Sequence, residues 1–347
     1  MPNRLLDALV GDAELAALFS DEAEISGILA FEKALAQAEA DVGMISDAAA
    51  SAIAAACDGF KPDYAALETG IARDGVVVPE LVRQLREAVG SGHGKSVHFG
   101  ATSQDAIDTS LVLRLAKAMI IIEDRLAALG RSLQDLTSRF GSLSLMGHTR
   151  MQQALPITVA AKIGNWTEPL QRQLRALEGM RRNLLVIQLG GAVGMREAFG
   201  DKADAVARRL AGHLDLGFAT PWHTQRDPLV DFASVLSLIT GATGKIGADV
   251  ALLSQNEVGA ITLAGGGGSS AMPHKSNPVK AEVLVTLARF NAGQVGTLHQ
   301  ALVHEYERSG STWMLEWMVL PQIVNATGAA LRLANELAGQ ITFNARA

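Results

Sequence analysis

Five long segments of helix-favouring composition constrain the fold of this chain most. They are rich in Ala and Leu, nearly free of Pro, and cover roughly residues 103–138, 152–187, 226–263, 274–304 and 312–340. At a rise of about 1.5 Å per residue, a helix of about 30 residues is a rod about 45 Å long. Such rods bury a wide apolar face only against other rods, so the sequence predicts an antiparallel helical bundle.

The apolar faces of these segments also predict that copies of the chain associate. Within 103–138, the residues Leu111, Leu115 and Ile122 recur at helical spacing among further apolar residues. One antiparallel neighbour cannot cover a face of this width, so a bundle that continues into other subunits is the natural way to bury it. We therefore expect a homo-oligomer that assembles through the bundle.

The rest of the chain favours helices over strands. Residues 20–42 have apolar side chains at helical spacing, and Ser20 precedes acidic residues that stabilise the first turn of a helix. Aromatic residues make up only 5% of the chain, and alternating β-branched runs are scarce. The sequence predicts an all-α fold with a small N-terminal helical domain (1–100) and a central bundle of long helices (101–347), divided at the Gly/Ser/His stretch near 90–101.

Charge and cysteine content narrow the class of partner. The formal net charge is -6 and no basic run is present, so nothing in the sequence favours a nucleic acid or an anionic membrane surface. Cys57 is the only cysteine, which excludes a disulfide within one chain. The N-terminal residues lack the basic start and apolar stretch of a secretory signal, and no run of about 18 apolar residues occurs. These features predict a cytoplasmic protein with a small-molecule substrate.

A glycine-rich segment carries the strongest chemical signal. Residues 264–282 read AGGGGSSAMPHKSNPVKAE, in which four glycines lead into two serines before a helix resumes. Glycines allow a loop to close over a ligand, and the N-terminus of the following helix favours negative charge. Lys275 and Asn277 can hold a carboxylate, and Ser269 or Ser270 can act as a base in suitable surroundings. A phosphate-binding P-loop fits worse, because the G-x-x-x-x-G-K-[ST] spacing is absent.

Three segments together resemble a known enzyme superfamily. The string GSSAMPHKSNP, residues 268–278, is similar to the signature of the fumarase/aspartase superfamily. VHFGATSQDAIDT at 97–109 and GHTRMQQALPIT at 147–158 resemble the superfamily's first and second active-site segments, in the same order. We refer to 97–109, 147–158 and 264–282 as the first, second and third regions. Because the N-terminal stretch is similar as well, the resemblance covers essentially the whole chain.

By this resemblance, the third region contributes the reacting groups. Ser269 is expected to remove the proton beside a substrate carboxylate, while Lys275 and Asn277 hold that carboxylate as it becomes an enolate-like dianion. Such a reaction needs no redox cofactor. No metal is implied either, because the eight histidines are scattered without a ligand spacing such as HExxH.

The first region is expected to bind a second carboxylate. Thr102 and Ser103 take this role by resemblance, with His98 beside them. Outside the motif they would be interpreted as helix-capping residues and a structural histidine. Arg308, in HEYERSGS, resembles an arginine that contacts the substrate in the lyases, because a guanidinium suits a carboxylate. A solvated surface arginine is the alternative.

The second region departs from the pattern of the amine-releasing lyases. Those enzymes read G-R-T-H-x-Q, with a histidine that protonates the leaving nitrogen, whereas this chain has Arg150 at that place, His148 two positions earlier and Gln152 at the glutamine. Loss of a general acid costs a factor of about 10² to 10⁴, but a carboxylate leaves without protonation. The change favours the cycloisomerase branch, which joins a carboxylate oxygen of a carboxymuconate to carbon. Arg150 and Gln152 would bind substrate, and His148 would be catalytic or supporting.

Two alternatives remain beside a cycloisomerase. A β-elimination of the adenylosuccinate lyase type would release fumarate, and Arg150 argues against it. A crystallin-like scaffold would keep the fold without activity, and the intact Ser269, Lys275 and Asn277 argue against that. The resemblance further implies a tetramer in which three subunits each contribute one region to an active site. One departure from the family pattern concerns the C-terminus: many superfamily members continue with a further small domain, whereas this sequence stops at ITFNARA soon after the last long helix, so that domain is expected to be absent.

Overall fold

The computed structural model describes residues 4–268, 272 and 276–345. Over these residues the chain forms 12 α-helices and four short strands, so the predicted all-α class is confirmed. The helices are α1 (Arg4–Val10), α2 (Ala13–Ala17), α3 (Asp21–Asp41), α4 (Asp47–Asp58), α5 (Tyr64–Asp74), α6 (Val78–Val89), α7 (Ser103–Phe140), α8 (Val159–Leu184), α9 (Ala203–Leu214), α10 (Asp227–Leu253), α11 (Val279–Gln300) and α12 (Ser311–Ala338). The strands are β1 (Ser144–Thr149), β2 (Gln152–Thr158), β3 (Ile261–Leu263) and β4 (Ile341–Phe343), paired antiparallel as β1 with β2 and β3 with β4.

Five long helices form the central bundle. They are α7, α8, α10, α11 and α12, and they pack against one another around an aliphatic core. The longest, α7, has 38 residues and is therefore about 57 Å long. It buries Leu115, Met119 and Ile122 completely, because several neighbouring helices together cover its wide apolar face.

A second core lies beside the bundle. Helices α3, α4, α6 and α9 form it, and Phe31, Leu85 and Leu210 are fully buried there. Ile107 near the start of α7 and Trp313 near the start of α12 also belong to this core. The two cores therefore meet around the start of α7, which fixes that helix end firmly against several elements.

Three helices begin or end close to where the sequence predicts. Helix α3 begins directly after Ser20, whose hydroxyl oxygen accepts a hydrogen bond from the Ala23 N–H at 3.2 Å. The segments 103–138 and 312–340 are helices whose ends lie within two residues of the predicted bounds. Their Ala- and Leu-rich composition was a sufficient signal, even with Pro321 inside α12.

The helix predicted over 152–187 is wrong at its start. Residues 152–158 instead form β2, and only the later part of the segment is the helix α8. Thr158 sets the boundary, because its hydroxyl oxygen accepts a hydrogen bond from the Ala161 N–H at 3.1 Å. The second region is therefore a β-hairpin. The sequence did not predict it, because strand signals are scarce there.

Two further helices are shorter than predicted. Helix α10 ends at Leu253 rather than near 263, and Gly259 beyond it has a φ of 59°, which is incompatible with a right-handed helix. Helix α11 begins at Val279 rather than near 274, directly after Pro278. Proline lacks the N–H that a helix interior requires, so it is tolerated only at a helix start.

One described helix, α10, is long and apolar enough to cross a membrane by length and composition alone. Of its most apolar window, 61% is buried inside the protein, and the helix packs against α8, α11 and α12. We therefore assign α10 as a core helix of the bundle.

Candidate active site

The first region lies at the N-terminus of the longest helix. Thr102 is the N-cap residue of α7, Ser103 is its first residue, and both are partly exposed. The unpaired N–H groups at a helix start carry a partial positive charge that favours an anion. This position therefore suits a substrate carboxylate, as the resemblance implied.

Arg308 is brought to the same place from a distant part of the chain. Its Nη1 donates a hydrogen bond to the Thr102 hydroxyl oxygen at 2.9 Å. Its Nη2 donates to the carbonyl oxygens of Gly191 at 3.2 Å and Ala192 at 2.9 Å. None of these three acceptors carries a charge, so the anchored guanidinium keeps a positive charge that can attract a carboxylate.

Asp105 organises the first region from inside the protein. Its buried carboxylate accepts hydrogen bonds from the N–H groups of Thr102 at 3.0 Å, Gly190 at 2.8 Å and Gly191 at 2.9 Å. His223 Nε2 lies 2.9 Å from the same carboxylate. Asp105 therefore links the start of α7 to Gly190 and Gly191. The carbonyl oxygen of Gly191 also accepts a hydrogen bond from Arg308.

His98 completes the first region and has an unforeseen partner. Its Nδ1 lies 2.5 Å from Oε1 of Glu32, a buried carboxylate on α3. Burial lowers the pKa of His98, but the carboxylates of Glu32 and Asp105 outweigh burial, so the pKa is raised. The backbone of His98 is left-handed, with a φ of 60°, which costs about 1–2 kcal/mol for a residue with a side chain. Strain of this kind clusters at functional sites.

The second region is an exposed hairpin that follows the other end of α7. β1 and β2 are joined by a two-residue turn at Arg150 and Met151. Both residues have a positive φ, of 49° and 66°, as the central residues of a type I′ turn do. Gly or Asn usually occupies such positions, so holding Arg150 there costs about 1–2 kcal/mol. The strained turn places the exposed Arg150 side chain at the tip of the hairpin.

His148 and Gln152 flank this turn. His148 Nδ1 lies 3.0 Å from the Met146 carbonyl oxygen, and Gln152 pairs with Thr149 across the hairpin. The side chains of His148 and Gln152 are both exposed. The hairpin therefore brings together, near its tip, all three residues predicted for the second region.

Only part of the third region belongs to the described residues. Asn277 exchanges two backbone hydrogen bonds with Gly267, at 2.8 and 2.9 Å, which close the base of the segment between them. Asn277 precedes α11 by two residues. Ser269 and Lys275 lie outside the described residues, so their roles stay predictions.

The first region lies far from the second region within one chain. The first region begins α7 and the second region follows its last turn, so the 38 residues of this helix, about 57 Å, lie between them. The end of α7 contacts β4 through the rings of Phe140 and Phe343, whose centroids are 5.9 Å apart. Because β4 pairs with β3, which leads into the third region, the second region and the described start of the third region lie at one end of the bundle.

Helix α12 gives an independent measure of the same separation. Arg308 precedes its first turn, whereas Lys280 at the start of α11 forms an ion pair of 2.7 Å with Glu336 near its last turn. The 28 residues of α12 correspond to about 42 Å. Asn277 is three residues from Lys280, so it lies at the opposite end of the bundle from Arg308.

Within the described ranges, no group of three or more His, Cys, Asp or Glu side chains is arranged to hold a metal ion. The guanidinium of Arg308 lies at the start of α7, and the imidazole of His98, four residues before Thr102, has a raised pKa, so the positive charges near the first region favour an organic anion.

Comparison with known proteins identifies the family of this chain. The model of a protein family described as lyase matches residues 10–294, which is most of the chain. The chain belongs to this lyase family. The membership in the fumarase/aspartase superfamily predicted from the three regions is thereby confirmed.

Several similar proteins share one name, although a relative of Enterococcus italicus that is 35% identical is an N-acetyl-S-(2-succino)cysteine lyase. A 3-carboxy-cis,cis-muconate cycloisomerase of Pseudomonas aeruginosa is 42% identical over 339 residues, which cover 96% of this chain and 74% of that protein. One of Pseudomonas putida is 41% identical, with coverage of 99% and 83%. The crystal structure of the 3-carboxy-cis,cis-muconate lactonizing enzyme from Pseudomonas putida superposes with a TM-score of 0.93 at 41% identity, over 99% of this chain and 78% of that chain.

A buried ion-pair network supports the first region of this lyase-family chain. Arg226 donates hydrogen bonds to Asp108 at 2.6 Å and to Glu316 at 2.5 Å, and all three side chains are at most 2% exposed. Trp313 Nε1 donates to Asp108 at 3.1 Å. Asp108 lies one turn of α7 after Asp105, so the network fixes the helix that carries the first region against α10 and α12.

Sequence reasoning missed the residues that position the first region. Asp105 follows Thr102 by three residues, which is the spacing of a capping box, so a local signal for it was present. Glu32 and Arg226 offered no such signal, because their partners lie 66 and 118 residues away in the sequence. Only the tertiary structure shows that these charged side chains are buried beside lyase-family motif residues.

Gly100 gives a direct test of the packing around the first region. It has a φ of 69°, and a Cβ there would lie 2.7 Å from the Phe199 ring. Gly100→Ala is therefore expected to lower the free energy of unfolding by about 1–3 kcal/mol in urea denaturation, through overpacking and backbone strain. Gly75→Ala is the matched control, because Gly75 has a φ of 75° with open space around the Cβ position. Equal losses in the two variants would contradict the packing argument.

Proposed function

We propose that this chain is a 3-carboxy-cis,cis-muconate cycloisomerase, which interconverts 3-carboxy-cis,cis-muconate and 4-carboxymuconolactone. The observation that carries the proposal is Arg150, presented at the hairpin tip in the place where amine-releasing lyases have histidine. Arginine cannot give up a proton to a leaving amine, but it stabilises a carboxylate that attacks or leaves. The names of the relatives and of the similar crystal structure support the same assignment.

In the proposed reaction, one carboxylate oxygen of the substrate adds to a double bond and forms the ring C–O bond. The electron pair of that double bond moves to the carbon beside a second carboxylate, which Lys275 and Asn277 hold as an enolate-like dianion. A proton taken up from solvent and delivered to this carbon by the Ser269 hydroxyl completes the lactone. In the reverse direction, Ser269 removes this proton as the base, and the C–O bond then breaks.

The first region binds a carboxylate that does not react. Thr102 and Ser103 offer the positive end of the α7 dipole, and the anchored Arg308 supplies a full charge. His98 lies beside them and adds a further hydrogen-bond donor. These groups orient the substrate so that its chain is held at one end while the other end cyclises.

The second region binds the carboxylate whose oxygen forms the ring C–O bond. Arg150 pairs with its negative charge, and Gln152 donates an amide hydrogen bond to it. His148 supports this carboxylate from the neighbouring strand position. No step needs a proton at this place, because the bond that forms or breaks joins carbon to a carboxylate oxygen.

The proposal includes active sites shared between subunits of a homotetramer. About 57 Å of helix between the first and second regions is far longer than the six-carbon chain of a muconate, so one subunit cannot supply both to one site. Met151 and Leu155 on the hairpin are 77% and 75% exposed, and a neighbouring subunit would cover them. We also propose a cytoplasmic location. The chain would divide near residue 100 into an N-terminal domain and the central bundle, and α9 would complete the core of the N-terminal domain.

The test is the ultraviolet absorbance of 3-carboxy-cis,cis-muconate mixed with the purified protein. The absorbance of the conjugated diene is expected to fall with wild type, and a parallel assay with adenylosuccinate should release no fumarate. Fumarate release without diene loss would move the assignment to the adenylosuccinate lyase type. Failure to convert the diene, together with no saturable thermal shift by any tricarboxylate, would favour the scaffold alternative.

Arg150→Gly separates the chemical role of the arginine from its structural cost. Glycine relieves the left-handed strain, so the hairpin should become more stable by about 1 kcal/mol. The kcat/KM for the muconate should nevertheless fall about 10- to 100-fold, because a charge-assisted contact is lost. Met151→Gly is the matched control, since it relieves strain at a φ of 66° without removing a charge. Full activity of Arg150→Gly would refute the role of the guanidinium.

A further inference from the structure

Glu32 makes a close contact that the roles assigned so far do not use. Its Oε1 lies 2.5 Å from His98 Nδ1, and its side chain is 1% exposed. Its Oε2 has no hydrogen-bond partner in the described part of the chain. A buried carboxylate is costly unless a partner compensates its charge. Among the described residues, the imidazole of His98 is therefore the hydrogen-bonding partner of the buried Glu32 carboxyl group.

This contact determines which nitrogen of His98 remains for a ligand. Because Nδ1 is held by Glu32, Nε2 is the second nitrogen, and 12% of the His98 side chain is exposed. His98 lies four residues before Thr102, at the start of α7. A carboxylate bound at that helix start would therefore meet Nε2 rather than Nδ1.

The groups around His98 favour its protonated form. Burial lowers the pKa of His98, the carboxylates of Glu32 on α3 and Asp105 on α7 raise it more strongly, and the guanidinium of Arg86 on α6 opposes them. The pKa of His98 therefore lies above its ordinary value. The ion pair stabilises the fold fully below the ordinary histidine pKa of about 6.5, and this contribution is lost as the pH rises through the raised pKa.

A second buried carboxylate on α3 provides an internal comparison. Glu39 lies two turns after Glu32, is fully buried, and has no hydrogen-bond partner on either oxygen among the described residues. Burial and the nearby charge of Glu32 raise the pKa of Glu39 to about 9. Glu39 is therefore neutral at pH 7, whereas Glu32 faces an imidazole that can balance its charge.

We propose that Glu32 is a positioning residue that holds His98 as an imidazolium, with Nε2–H as a donor to the carboxylate bound by Thr102 and Ser103. This inference rests on the proposed function, because the charge acts on an anionic substrate. In this arrangement His98 binds substrate and transfers no proton. It supplies a fixed positive charge against the three negative charges of a tricarboxylate.

The charge state of His98 is measurable without any substrate. Histidine-labelled full-length protein is titrated by NMR, and a His98→Asn variant assigns the resonance. In wild type, His98 is expected to stay protonated across neutral pH. In Glu32→Gln, it should lose its proton at a pH lower by about one unit or more. Glu39→Gln is the matched control, since it replaces a neutral buried group on the same helix and should leave the titration unchanged.

The pH dependence of KM for 3-carboxy-cis,cis-muconate then tests the positioning role. KM should stay low while His98 is protonated and rise about tenfold as it deprotonates. In Glu32→Gln this rise should begin at a correspondingly lower pH, while kcat changes less than KM. Glu32→Asp, which keeps the charge, should restore part of the wild-type profile.

A neutral His98 at pH 7 in wild type would overturn the proposal whatever the substrate is. A shifted His98 titration with an unmoved KM profile would also overturn it, because Glu32 would then be only structural. Should Glu32→Gln fail to fold, the wild-type KM rise must coincide with the wild-type His98 titration, and a mismatch would count against the proposal. If the muconate is not converted at all, the proposed function fails, while the NMR titration still decides the charge of His98.

Discussion

Two inactive variants, Arg308→Glu beside the first region and Ser269→Ala in the third, are expected to regain about a quarter of wild-type activity when their subunits are mixed. Arg308→Glu places a negative charge where a carboxylate should bind, and Ser269→Ala removes the proposed base. Each variant alone should lose at least about 100-fold in kcat/KM.

The recovery follows from the length of the bundle. Arg308 and Asn277 lie at opposite ends of α12, which is about 42 Å long, so a site must take the first and third regions from different subunits. In a random mixture, each of the two regions is wild type at about half of the sites. Both are therefore wild type at about one site in four.

Co-expression of the two variants with different affinity tags gives mixed oligomers, which native mass spectrometry verifies before the diene assay. The matched control mixes Ser269→Ala with Asn277→Ala. Both changes lie in the third region, so every third region carries one of them and no site recovers. Verified mixed oligomers that stay as inactive as their parents would be incompatible with shared sites.

The bundle was predictable because its signals are local. Segments such as 103–138 and 312–340 are rich in Ala and Leu over about eight turns or more, with Pro321 as their one proline, and such local composition favours a helix once an apolar face can be buried. Ser20 likewise marked the start of α3 by a side chain that caps its own helix. Where a residue's conformation depends on its sequence neighbours, the prediction from sequence and the structure agree.

The hairpin of the second region was not predictable by the same logic. Residues 151–155 read Met-Gln-Gln-Ala-Leu, which favour a helix by propensity, and yet the turn holds Arg150 and Met151 at positive φ. His98 breaks the same backbone rule in the first region. A backbone conformation that a residue type disfavours is expected where function requires it. Two of the predicted site residues, His98 and Arg150, have such a conformation.

The partners of the site residues were beyond sequence reasoning for a different reason. Arg308 and Thr102 were each assigned to substrate binding by resemblance, but their direct contact joins positions 206 residues apart. In the sequence, Glu32 is one of several charged residues on a predicted helix. Only the structure shows that it is buried against His98. Spacing along a chain cannot reveal which charged side chains the tertiary fold removes from water.

Removal of the buried guanidinium at Arg226 should have the largest effect on stability. Arg226→Met leaves Asp108 and Glu316, both at most 2% exposed, without their shared cation. We expect the free energy of unfolding to fall by about 3–5 kcal/mol, because an uncompensated buried charge costs far more than an exposed one. Urea denaturation at pH 7.5 and fixed protein concentration measures the change. Arg139→Met is the matched control, since the ion pair of Arg139 with Asp135 is half exposed and contributes less than about 1 kcal/mol.

The pH dependence of this loss distinguishes unpaired charge from lost packing. Burial raises the pKa of Glu316, but Arg226 outweighs burial, so the pKa is lowered in wild type. The stabilisation from this pair is present above the ordinary glutamate pKa of about 4.3 and is lost as the pH falls through the lowered value. Without Arg226, the effect of burial is opposed mainly by His304, and the carboxyl takes up a proton at higher pH. The difference between wild type and Arg226→Met should therefore shrink between pH 7.5 and pH 5, whereas a difference that stays constant would identify packing as the main contribution.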